Sequence, residues 1–152
     1  MSNRLVALND DNAARAYQIH RDGHPVPWSA GVFSSCLTGQ YFAFALYEAD
    51  NMLGYFIGLQ VLDELTLMDI AVKPEWRGMG KGSALLESFL TQCTLRNASK
   101  VWLEVRSSNV AAIELYKHAG FKVQEIRKGY YQRNDKAEDA IVMCLSLAHD
   151  AS

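Results

Sequence analysis

The stretch Leu67-Met68-Asp69-Ile70-Ala71-Val72-Lys73-Pro74-Glu75-Trp76-Arg77-Gly78-Met79-Gly80-Lys81-Gly82-Ser83-Ala84-Leu85-Leu86 decides the fold. Its first six residues are mostly apolar and read as a covered strand. Lys73-Pro74 ends that strand. After the glycines, Leu85, Leu86, Phe89, Leu90 and Cys93 fall near one helical face through about Asn97. Strand, glycine-rich turn and helix in this order build an anion site. Free N–H groups and the helix dipole point at the ligand, and glycine lets phosphate approach the backbone.

Spacing then excludes two nucleotide readings. A Walker A loop needs glycine five residues before Gly80, where Glu75 stands, and Ser or Thr after Lys81, where Gly82 stands. A dinucleotide fingerprint fails at Ser83 counted from Gly78, and at Leu85 counted from Gly80. What remains is Arg77-x-x-Gly80-x-Gly82.

Working outward, Val101–Val105 reads as a strand parallel to the one ending at Val72, with the helix as a right-handed crossover. Glu104 sits inside that apolar run, where desolvation raises a carboxyl pKa toward the range of a general base. A solvated face or a pairing with Arg106 would explain it as well. Asn109–Ala119 is a helix, with Ala112, Leu115, Tyr116 and Ala119 at helical spacing and Gly120 as its terminator. Asn109 suits a cap, and Tyr116 suits either the core or a proton donor.

Upstream, Arg4–Leu8 reads as a strand and a helix capped at Asn9 or Asp10 runs to about Arg21. Gly23-His24-Pro25-Val26-Pro27 is a break, and a short helix capped by Ser29 reaches about Leu37. Gln40–Ala49, Met52–Leu62 and Leu65–Val72 are extended, with hairpin turns at Asp50-Asn51 and Asp63-Glu64. Phe121–Arg127 and Asp139–Leu147 are closing strands around a polar loop that carries Tyr130 and Tyr131. The order βααβββαβαββ predicts an α/β fold with a mixed sheet in a single domain spanning residues 1–152.

Composition sets the remaining bounds. With 49% hydrophobic and 21% charged residues, the chain is globular rather than disordered. A net charge of −2 gives no case for nucleic-acid or membrane attraction. That sum hides two halves: six acids and no Lys or Arg from Asp22 to Val72, then twelve bases and six acids from Lys73 to Lys136. Cys36, Cys93 and Cys144 are odd in number and form no C-x-x-C pair, so they read as reduced thiols of a cytoplasmic protein. His20 and His24, at i and i+4, lack an evident carboxylate or cysteine partner and read as surface histidines, with no metal site.

The pattern Arg77-x-x-Gly80-x-Gly82 resembles the pyrophosphate-binding motif of the Gcn5-related N-acetyltransferase superfamily. Asn109, Ala112, Tyr116, Gly120 and Phe121 resemble its second signature. His24–Ser29, Val61–Glu64, Ile70–Val72, Trp102–Arg106, Tyr130-Tyr131 and Glu138–Met143 look similar to one branch, the ribosomal-protein-alanine N-acetyltransferases (RimI type). Lys81 departs from the family's usual apolar residue.

This resemblance implies a GNAT-like sheet whose central parallel strands splay apart. It implies acetyl-coenzyme A as co-substrate, held by the backbone at Ile70, Ala71 and Val72, by Arg77, Gly78, Met79, Gly80, Lys81, Gly82 and Ser83, and by Asn109. Glu104 becomes the general base and Tyr116 the general acid. Pro27, Trp28, Tyr130 and Tyr131 line the approach of the acceptor, the N-terminal alanine amine of a small-subunit ribosomal protein. A small amine, a lysine side chain, or a non-catalytic acyl-coenzyme A sensor are the rival readings.

Overall fold

In the computed structural model, which describes residues 3–133 and 136–147, the elements follow the predicted order. They are β1 (Asn3–Ala7), α1 (Ala13–Gly23), α2 (Ala30–Ser35), β2 (Tyr41–Glu48), β3 (Asn51–Val61), β4 (Glu64–Val72), α3 (Lys81–Leu95), β5 (Lys100–Arg106), α4 (Val110–His118), β6 (Lys122–Arg133) and β7 (Lys136–Ser146). A 3-10 turn, Pro74–Trp76, precedes the glycines. Ser29 caps α2 by accepting the Val32 N–H at 3.2 Å, as its side chain predicts.

All seven strands form one sheet in the order β1-β2-β3-β4-β5-β7-β6. Among the described strands only β4 and β5 run parallel; every other neighbouring pair is antiparallel. The β2–β3 and β3–β4 hairpin turns lie one residue earlier than expected, at Ala49-Asp50 and Leu62-Asp63. Ala49 and Leu62 take the positive φ values of 54° and 56°.

Strands β2 and β3 alternate between two apolar layers, which is why they read as nearly continuous hydrophobic runs. Phe42, Leu46, Leu53 and Phe56 face α3 and α4, meeting Leu85, Leu86, Phe89 and Tyr116. Phe89 packs edge-on against Phe56 at 5.3 Å and parallel to Phe42 at 6.1 Å. Truncating such a buried ring costs about 3–5 kcal/mol. On the other face, Ala43, Ala45, Tyr47, Tyr55 and Ile57 meet Ala16, Ile19 and Phe33 of α1 and α2. Among the described residues, no side chain of β5, β6 or β7 joins this second layer, so its helices cover only the β1–β4 half of the sheet.

Two irregularities shape the middle of the sheet. Ile57 pairs with Asp69 but Gly58 pairs with Leu67, so Met68 is an extra, bulged residue on β4. The bulge turns Asp69 from the face of Leu65 and Leu67 to the face of Tyr55. The second is the fork: β4 and β5 pair from Glu64 with Lys100 only as far as Leu67 with Leu103, although both continue beyond. The parallel strands therefore splay, as the family resemblance implies. None of the described helices is long and apolar enough to cross a membrane.

Candidate active site

The fork leaves the β5-facing edge of β4 open along Ile70, Ala71 and Val72, where a ligand can add as an extra strand. Arg77 folds back so that Nε donates to the Val72 carbonyl at 3.2 Å, tying the turn to the strand end. Gly78 and Gly80 adopt φ of 76° and 75°, a region that a side chain at Met79's neighbours would strain. Gly80 is the N-cap of α3 and supplies no side-chain hydrogen bond, so the first amides, from Lys81 to Ser83, face outward. Gly82 lies between Val72 and Leu115, at the junction of β4, α3 and α4. Lys81 turns away from this junction. Its Nζ lies 3.5 Å from Glu48 Oε2 in a partly buried pair, which explains the departure from an apolar residue. Ser83 opens onto a groove of about 550 Å³ between α3 and α4.

Helix α4 carries the second signature. Asn109 accepts the Ala112 N–H on its side-chain oxygen at 3.2 Å and is thus a cap. Tyr116 is buried, with Phe121 edge-on at 5.9 Å. Burial, then the Asp69 charge, push its phenol up to about 12, so it holds its proton at neutral pH as an acid must.

Glu104 differs from the sequence expectation. It is exposed, because it points to the half of the sheet that α1 and α2 leave uncovered, so the expected desolvation is absent in the free chain. Its partners are the Tyr131 hydroxyl, donating to Oε1 at 2.6 Å, and Arg127 Nη1, 3.4 Å from Oε2. Arg106, the partner considered from sequence, instead lies over the Tyr131 ring at 3.9 Å.

Tyr130 and Tyr131 are on strand β6, not in a loop. The register breaks between Arg127 and Tyr131, with Gly129 at φ 61° donating its N–H to Asp139 Oδ1 at 2.9 Å. The break presents both rings, 5.3 Å apart and edge to face, with Tyr130 exposed. Burial, followed by the bond to Glu104, pushes the Tyr131 phenol up. Across the fork, Pro27 is exposed and Trp28 half-buried, its carbonyl accepting from the Tyr17 hydroxyl at 2.9 Å.

The sequence expectation of surface histidines fails for His20, while His24 keeps part of its side chain at the surface. His20 is 1% exposed, and Asp69 supplies the carboxylate that seemed missing. His20 Nδ1 lies 2.8 Å from Asp69 Oδ2, His24 Nε2 lies 2.9 Å from Oδ1, and the Tyr55 hydroxyl donates to Oδ2 at 2.5 Å. Burial alone pushes the Asp69 carboxyl up, but hydrogen bonds from both histidines, the His24 charge and the Tyr55 hydroxyl outweigh it and hold it at about 2. The signal was present: Asp69, like Glu104, is a carboxylate inside an apolar run.

Residues 12–121 match the acetyltransferase (GNAT) family. The chain belongs to that family. It is 40% identical over 146 residues to the Escherichia coli K12 ribosomal protein bS18-alanine N-acetyltransferase, covering 96% of this chain and 99% of that protein. A Haemophilus influenzae protein of the same name is 38% identical over 134 residues, covering 88% and 91%. The crystal structure of the Escherichia coli ribosomal-protein-S18-alanine N-acetyltransferase superposes with a TM-score of 0.91 at 39% identity, covering 99% of each chain. Arabidopsis thaliana NAA60 in complex with acetyl-CoA shares the fold, with a TM-score of 0.85 at 19% identity over 96% of this chain and 99% of that one. As a GNAT member, the chain is an acetyl-CoA-dependent N-acetyltransferase.

Proposed function

We propose that this GNAT enzyme acetylates the N-terminal alanine amine of a small-subunit ribosomal protein. It does so by direct transfer in a ternary complex within a single cytoplasmic domain. The observation that carries this reading is the hydrogen bond from Tyr131 to Glu104, which joins the general base to the tyrosine pair on the acceptor side. The names of the relatives at about 40% identity supply the acceptor class.

Acetyl-coenzyme A lies along Ile70–Val72, with its pyrophosphate at the amides of Gly78–Ser83, Arg77 beside it and the Asn109 amide near the arm. Backbone N–H groups of β4 hold the thioester oxygen as it gains charge. Glu104 accepts a proton from the attacking amine, directly or through water, as the C–N bond forms. The C–S bond then breaks, and Tyr116 donates its proton to the departing thiolate. Pro27, Trp28, Tyr130 and Tyr131 flank the incoming peptide.

No cysteine is acylated on this reading. All three thiols are buried, and burial pushes each one up, Cys93 to about 12, so none is a ready nucleophile. Nor is a metal required. The backbone N–H of Trp28 donates to His20 Nε2 at 2.9 Å, which puts the His20 proton on Nδ1 and leaves no lone pair there for an ion.

The test offers acetyl-coenzyme A with an alanine-arginine N-terminal peptide, a lysine peptide blocked at its N-terminus, and spermidine. Mass spectrometry locates the acetyl group. Modification of the free α-amine is expected; modification only of spermidine or the blocked peptide overturns the N-terminal reading. Binding without turnover on any amine would favour a sensor.

A further inference from the structure

The reaction above leaves one proton unassigned. At neutral pH an α-amine, with a pKa of about 7.7–8.0, is largely an ammonium ion. It must lose one proton before attack and a second as the tetrahedral adduct collapses. Glu104 accounts for one of them.

The cluster on the α1 side of the fork is built to take the other. The Trp28 N–H can only donate, so His20 Nε2 is an acceptor and Nδ1–H donates to Asp69 Oδ2. Tyr55 donates to the same oxygen. An ionised carboxylate only accepts, so Oδ1 fixes the proton of neutral His24 on Nε2, at 2.9 Å. The lone pair of His24 is then on Nδ1, which has no hydrogen-bond partner among the described residues. Of the four groups, His24 alone reaches solvent, its side chain 36% exposed. Its position is also fixed. Its N–H donates to the His20 carbonyl at 3.1 Å, and its ring lies 4.1 Å from the His20 ring, which packs at 4.9 Å on Trp28.

The charged and titratable groups around His24 are few. From other elements they are Asp69 on β4 and Tyr55 on β3, with the Arg77 guanidinium against Gly23. From α1 they are His20, with Arg21 and Asp22 adjoining in sequence, both hydrogen-bonded to Gln18. Asp69 directly precedes Ile70, where the unpaired edge of β4 opens, which sets this cluster beside the fork.

We propose that His24, oriented by Asp69, is a second proton acceptor, whose Nδ1 takes the proton that the acceptor ammonium sheds before it attacks. Glu104 takes the proton released from nitrogen as the new amide forms, and Tyr116 gives its own to sulfur. One of the two captured protons restores Tyr116 and the other leaves to solvent, so the products are the acetylated amine, free coenzyme A and one proton. This assignment rests on the acetyl-transfer reading but not on the identity of the acceptor. The assay therefore uses whichever amine the wild-type enzyme acetylates, and failure of the ribosomal reading is scored separately by the panel above.

The experiment measures kcat/KM from pH 6 to 9 for wild type, His24→Ala and His24→Gln, with coenzyme A affinity as a control. Both variants are expected to lose about tenfold at pH 6.5, where only about one amine in twenty is already unprotonated. The deficit should shrink above pH 8, where the amine sheds its proton unaided, with coenzyme A affinity unchanged. Added imidazole should restore His24→Ala. Glutamine can still donate to Asp69 but takes up no proton, so wild-type activity in His24→Gln would reduce His24 to a positioning role and overturn the proposal. A deficit equal at every pH and unmoved by imidazole would overturn it too.

Discussion

Asp69 and Glu104 stand at the same level of the fork, each just past the last shared pair of β4 and β5. One is 6% exposed and receives three hydrogen bonds; the other is open to water and held by one tyrosine and one arginine. Their sequence contexts are alike, a lone carboxylate in a strand of apolar residues. What differs is the cover. Helix α1 and Tyr55 close over the Asp69 side, whereas among the described residues no helix packs over β5 on the Glu104 side. Apolar neighbours along a strand therefore do not bury a carboxylate; the layer above that face does. On the proposed reading, the buried one organises the site and the open one meets the substrate.

The comparison breaks if the two carboxylates respond alike to substitution. Glu104→Gln should lower kcat by about 10²–10⁴-fold, the usual range for a lost general base. Its stability should change by no more than about 0.5 kcal/mol, as for surface sites. Steady-state kinetics and thermal unfolding on one sample check both. Asp69→Ala should do the reverse in stability, losing about 3–5 kcal/mol because it strands buried donors around an emptied site. A thermal midpoint near wild type for Asp69→Ala would show that the cluster is not held by its carboxylate. Tyr55→Phe removes one of the three donors and should cost less, about 1–2 kcal/mol by urea denaturation.

The contrast also separates what sequence could carry from what it could not. Element order was legible because periodicity and punctuation are local: Pro74, the glycines from Gly78 to Gly82, Ser29 and Asn109 all act within a few residues. Tyr116 and the turn were legible for the same reason. The histidine cluster was not, since His20 and His24 meet a partner 49 and 45 residues away. Nor was the bulge at Met68, which adds one residue to β4 and so flips Asp69 to the α1 face. Tyr130 and Tyr131 read as part of a polar loop between two strands, whereas β6 runs through Gly129 with a break in register. The acid-only half, from Asp22 to Val72, holds six acids and no Lys or Arg. In the folded chain Asp69 is buried and Glu48 is paired with Lys81, which leaves that half with less free charge than its sequence implies.

The pH dependence of stability is the sharpest test of the buried partner. Asp69 is held at about 2 in the folded protein against an ordinary value of 3.8. Its folded pKa lies below the unfolded one, so the stability it contributes is complete above about pH 5 and is lost as pH falls from there toward 2. The amount is on the order of 2 kcal/mol, spread over that window. Glu104 has no comparable cage. Urea unfolding of wild type between pH 6 and pH 2.5 should therefore show an acid-side loss that Asp69→Asn lacks and Glu104→Gln retains. Asparagine cannot titrate, so Asp69→Asn should be weaker than wild type at pH 6, yet converge with it toward pH 2.5. Parallel curves for wild type and Asp69→Asn would mean that the carboxyl titrates alike in the folded and unfolded states, so the hydrogen bonds that hold it low, and the directions that fix the His24 lone pair on Nδ1, would fall together.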